Sequence, residues 1–78
     1  MKRIPKTVIF PGGFRLSVVV EEIDDPENNG TYDTVTIGEG VITLSDKLTP
    51  RQQWRILAHE MIHAVVDAQN YIERVVAP

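Results

Sequence analysis

Two histidines and a glutamate carry the chemistry that this sequence makes legible. They lie in Ala58-His59-Glu60-Met61-Ile62-His63-Ala64, with the spacing HExxH. On an α-helix, residues four apart sit almost above one another, so His59 and His63 can offer imidazole nitrogens to one metal ion. Zinc suits such a pair, because it takes neutral histidine nitrogens and in catalytic sites keeps one position for water. Glu60 is then the base that takes the water's proton. Apolar residues wrap the motif, where two imidazoles and a carboxylate would be costly without a partner. The bland alternative is a helix with two partly exposed histidines and a surface glutamate.

The element that must position these groups is a helix starting at Thr49-Pro50-Arg51-Gln52. Thr49 can cap, Pro50 suits the first helical position and Gln52 completes a capping box. Trp54, Leu57, Ala58, Met61, Val65 and Ala68 recur at helical spacing and predict a stripe packed on a sheet. Ile56, His59, Ile62, His63 and Val66 occupy a neighbouring face. Asn70 tolerates the left-handed conformation and is a candidate helix stop. Beyond it, Ile72, Val75 and Val76 suffice for a short helix or a tail folded back on the main one.

Upstream, Lys6 to Phe10 reads as a short strand closed by Pro11-Gly12-Gly13. Phe14 to Glu22 alternates, with Phe14, Leu16, Val18 and Val20 on one face, and should form an antiparallel hairpin with the first strand. The stretch from Ile23 to Gly30, with Asp24, Asp25, Pro26, Glu27, Asn28 and Asn29, is turn chemistry and lacks the ligand pattern of a calcium loop. Tyr32 to Ile37 is a third strand, with Val35 and Ile37 opposite Tyr32, Thr34 and Thr36. Gly38-Glu39-Gly40 marks a turn or bulge, and Val41 to Leu44 is a fourth strand leading into the helix. As a sheet edge close to the metal, 41–44 would let an extended peptide pair by strand addition; the alternative is an edge with no such role.

The whole chain bounds these readings. Its 78 residues contain no cysteine, so a small core needs a metal or a partner subunit rather than a disulfide. A net charge of −3 with both signs interspersed excludes the basic footprint of a nucleic-acid or anionic-membrane binder. Lys2, Arg3 and Lys6 imitate the start of a signal peptide, but Pro11, Gly12, Gly13 and Arg15 break the apolar run that follows. No apolar stretch is long enough to span a bilayer. A cytoplasmic protein is expected, as a monomer or an oligomer.

The order of short strands, then Val41-Ile42-Thr43-Leu44, then Leu57-Ala58-His59-Glu60-Met61-Ile62-His63-Ala64 resembles the small phage and bacterial zincin metallopeptidases, nearest the ImmA/IrrE-like, gluzincin-type proteins. The likeness runs from about Lys6 to Val76, and its specific part is the HExxH helix. It implies an α+β domain over residues 1–78, with a small curled antiparallel sheet of about four strands packed on the long helix. Either the chain is that minimal domain, or it is a truncated form of a longer protein. The resemblance further implies peptide hydrolysis, with zinc held by two histidines, which map onto His59 and His63, and by a downstream glutamate. The motif's glutamate maps onto Glu60.

The downstream carboxylates are Asp67 and Glu73. Asp67 lies two turns beyond His59, about 12 Å along the axis at ~1.5 Å per residue, an awkward reach for three ligands on one straight helix. Glu73, ten residues from His63, is turned roughly 80° away if the helix is continuous, and faces the histidines only if the chain reverses at Asn70. Because Ile72-Glu73-Arg74-Val75-Val76 resembles the start of the family's ligand-bearing helix, Glu73 is preferred and Asp67 is the alternative. Asp67 would otherwise orient a histidine, and Glu73 would be a solvated helix-end charge. Tyr71 would stabilise an oxyanion if the tail folded back, and otherwise packs. The rival function is an inactive zincin-like binding or regulatory module with a structural or vestigial metal site.

Overall fold

Four short strands, β1 (Thr7–Ile9), β2 (Arg15–Glu21), β3 (Gly30–Thr36) and β4 (Glu39–Ser45), precede one long helix, α1 (Pro50–Tyr71), which runs on into a π-helical turn, Ile72–Val76. The computed structural model describes residues 3–25 and 27–76, the Val76 side chain excepted. Lys2, the Pro26 of the acidic turn and the terminal Pro78 lie outside the described residues.

The class is α+β, as the strand and helix patterns predict, with an open sheet of order β1-β2-β4-β3. β1 and β2 form the expected antiparallel hairpin, with Val8 opposite Leu16. β3 and β4 are also antiparallel, with Tyr32 opposite Ile42. The central pair corrects the all-antiparallel expectation: β2 and β4 run parallel, from Arg15 opposite Glu39 to Glu21 opposite Ser45. The loop after β2 carries the chain past one strand position, and β4 then returns into the gap between β2 and β3. The 41–44 segment is therefore an interior strand, paired on both sides, and the free edges are β1 and β3. Alternating hydrophobicity assigns faces to a strand but does not choose its neighbours.

The acidic loop is built from local turns. The Glu27 amide donates to Asp25 Oδ1 at 3.0 Å and the Gly30 amide to Asn28 Oδ1 at 3.1 Å. Side-chain oxygens that cap their own backbone in this way explain the turn-rich composition.

The core lies between one sheet face and α1. Phe14, Leu16 and Val18 of the β2 segment, Ile42 and Leu44 of β4, and Leu57, Ala64 and Ala68 of α1 are buried. Leu16, Ile42 and Leu44 are fully enclosed, each contributing about 1.5–3 kcal/mol of apolar burial. α1 lies over β3 and β4, so Val20 at the far end of β2 is exposed rather than inward. Val35 and Ile37 are exposed too; the inward face of β3 belongs to Gly30 and Tyr32. No helix among the described residues is long and apolar enough to cross a membrane.

Candidate metal centre

The N-terminus of α1 forms as its capping residues predict. The Gln52 amide donates to Thr49 Oγ1 at 3.3 Å, the Thr49 amide donates to Gln52 Oε1 at 2.9 Å, and Pro50 follows the cap. Its buried stripe is Leu57, Glu60, Ala64 and Ala68. Leu57 and Ala68 were expected there. Ala58 and Val65 are exposed, while Glu60 and Ala64 take the inward positions, so the helix is rotated from the predicted stripe. This rotation puts the motif's carboxylate toward the sheet and its histidines outward.

Glu60 retains 9% exposure and is the one buried charged residue among those described. His59 and His63 are both exposed, with ring centroids 6.2 Å apart in an edge-on arrangement. Glu60 Oε2 lies 4.0 Å from His63 Nε2, so a group held on that nitrogen would have the carboxylate beside it.

Tyr32 of β3, by alternation an ordinary strand residue, reaches this site. Its ring is stacked with that of His63, with centroids 6.5 Å apart and planes 14° from parallel. Its hydroxyl donates to Asp67 Oδ2 at 2.7 Å. Burial, and then the hydrogen bond to Asp67 and the charge of that carboxylate, push the phenol well above its ordinary value; each favours the neutral, donating form. Two glycines make the approach possible. A Cβ on Gly30 would lie 2.7 Å from Ile56 Cγ2, so Gly30 lets α1 close on β3; a Cβ on Gly40 would lie 2.5 Å from the Tyr32 hydroxyl oxygen. Gly40 is diagonal to Tyr32 across the β3–β4 ladder, and this pairing of glycine with aromatic was the signal available in the sequence.

The remaining candidates lie farther along the helix. The chain does not reverse at Asn70: α1 continues to Tyr71, and the Ile72 amide donates to the carbonyls of Ala68 and Gln69. Among the described residues only glycines have positive φ, so Asn70 does not adopt the left-handed stop. Glu73 consequently stays on the continuing helix, exposed, accepting a hydrogen bond from Gln69 Nε2 at 3.3 Å. Tyr71 packs edge-on against Phe14, ring centroids 6.0 Å apart, and lines a cavity of about 570 Å³ with Phe14, Ile37, Val75 and Asp67. Among the described residues no group of three or more His, Cys, Asp or Glu side chains converges to hold a metal. The donor chemistry fits zinc at two positions, His59 and His63, with a carboxylate adjacent.

Residues 15–77 match the family model of the IrrE N-terminal-like domain, a metallopeptidase family. The chain belongs to that family, which marks it as a metallopeptidase-like domain. No curated protein and no solved structure matches the chain.

Proposed function

We propose that residues 1–78 act as a single zinc-dependent peptidase domain, with His59 and His63 as metal ligands and Glu60 as general base. The observation that carries this reading is the inward-facing Glu60 carboxylate, buried in the packing stripe of α1 and 4.0 Å from His63 Nε2. A carboxylate in such a stripe destabilises a helix–sheet contact unless it has a task. Glu73, in preference to Asp67, would be the third ligand, delivered by rearrangement of the π-helical turn that contains it. Turns of this type are irregular and recur at functional sites.

Zinc, when bound, would acidify a water and polarise the peptide carbonyl. Glu60 would take the water's proton and pass it to the leaving amine; its burial keeps it partly dry and held by helix packing. The partner would be a peptide or protein. With β4 interior, the strand edge closest in the fold to the histidines is the outer edge of β3, where an extended peptide would pair by strand addition.

A second reading, a binding or regulatory module whose metal site is structural or vestigial, is favoured by the two-ligand set and by exposed Ile62, Val65 and Val66 on α1. Glu60→Gln separates the two. Under the peptidase reading it lowers peptide hydrolysis by about 10²–10⁴-fold, the usual worth of a general base, while zinc binding and the unfolding midpoint hold. Hydrolysis that survives the change would refute Glu60 as the base.

A further inference from the structure

The Tyr32–Asp67 hydrogen bond ties β3 to α1 beside the motif, and the proposed chemistry makes no use of it. Tyr32 comes from the edge strand and Asp67 from α1, 35 residues apart in sequence. Asp67 is on the same helix as His63, four residues on. The phenol ring is thus fixed at two points: its hydroxyl by Asp67 and its face by the stack with His63. Gly40 clears the space beneath it, since any Cβ there would strike the ring at Cε1, Cζ and the hydroxyl oxygen.

His63 itself is exposed, and among the described residues its nearest carboxylate contact, Glu60, lies at 4.0 Å, beyond hydrogen-bond range. An exposed imidazole on a helix samples several rotamers, and holding one of them must come from packing. Two rings meet it, that of His59 edge-on from the same helix and that of Tyr32 face to face from β3, and the Tyr32 ring is the one anchored from outside α1.

We propose that Tyr32 is a positioning residue that holds the His63 imidazole in its ligating orientation by stacking on it, and that Asp67 serves the site by anchoring the Tyr32 hydroxyl rather than by binding the metal. The stack of Tyr32 on His63 stands without the zinc reading; the proposal built on it rests on that reading in both halves. It removes Asp67 as the alternative third ligand and gives it the work of an outer partner, a class whose loss typically weakens metal binding about 10–100-fold.

The test uses the full chain, with zinc affinity from competition against a chromophoric chelator and His63 ring-proton shifts from NMR of the zinc-free protein. Tyr32→Ala should weaken zinc about tenfold or more and abolish the ring-current displacement of His63 protons relative to His59. Tyr32→Phe keeps the ring but not its anchor and should give a smaller loss. Asp67→Ala should match Tyr32→Phe, and the two together should be no worse than either, the non-additivity of groups acting through one another. Asp67→Asn, which still accepts from the hydroxyl, should restore binding to near the parent's. The far milder Tyr32→Phe keeps the test open should Tyr32→Ala unfold. Unchanged His63 shifts in both Tyr32 variants would overturn the positioning role. An Asp67→Asn loss equal to that of Asp67→Ala and additive with Tyr32→Phe would overturn the anchoring role and make Asp67 a ligand. Should the parent bind no zinc, the zinc reading falls and both roles fall with it, and the His63 shifts then report the stack alone.

Discussion

Gly40→Ala should damage this protein through one distant ring. Gly40 is buried in β4 and its backbone is not in the left-handed region, so alanine is conformationally acceptable there. The three atoms nearest an added Cβ are all in Tyr32, at 2.5, 2.8 and 3.0 Å. Such distances require the phenol to swing away, which breaks its bond to Asp67 and its stack on His63. A hydrogen bond to a charged group contributes about 1.5–3 kcal/mol, and an aromatic pair about 0.5–1.5 kcal/mol. Partial exposure of the pair puts the expected loss near the lower ends, about 2 kcal/mol. For a chain of this size that lowers Tm by on the order of 10 °C. Urea unfolding followed by circular dichroism measures it, in the parent and in a Tyr32→Ala background. With the ring gone the same substitution should be neutral or stabilise by about 0.5–1 kcal/mol, the ordinary gain of alanine over glycine inside a strand. Equal destabilisation in both backgrounds would refute the argument, because the penalty would then come from something other than Tyr32.

Further outcomes follow from neighbouring contacts. Gly38 has φ +83° and a Cβ there would meet Tyr71 Cε2 at 3.0 Å, so Gly38→Ala should cost about 1–2 kcal/mol, with Gly38→Asn milder; urea midpoints compare the two. The raised phenol of Tyr32 means the folded state holds that proton more tightly than the unfolded chain. Its contribution is complete below the unfolded value of about 10 and is lost as pH rises past it. The urea midpoint of the zinc-free parent should therefore fall more steeply above about pH 10 than that of Tyr32→Phe; equal slopes would contradict the assignment.

What could be read from the residues was whatever depends on local pattern. The start of α1 follows from Thr49, Pro50 and Gln52, whose reciprocal hydrogen bonds both form. The hairpin of β1 and β2 follows from Pro11-Gly12-Gly13, and Leu16, Val18, Ile42 and Leu44 lie inward as their alternation requires. The HExxH spacing was legible for the same reason. Strand order was not, because β2 meets β4 across an intervening strand, and period-two alternation is indifferent to which neighbour a strand takes. Tyr32 was missed because its partner lies 35 residues away. The α-helix ends at Tyr71, one residue past the expected stop, but the chain runs on into the π-helical turn instead of reversing, because Asn70 permits a left-handed stop without imposing one.

The central claim is that His59 and His63 hold a metal that Glu60 serves as base. Elemental analysis of the purified, zinc-supplemented protein tests it most directly, with His63→Ala and Glu60→Gln measured beside the parent. The account predicts one equivalent of zinc in the parent and in Glu60→Gln, and its loss in His63→Ala. A parent without zinc, or a His63→Ala protein that keeps it, would contradict the claim and leave the binding-module reading in its place.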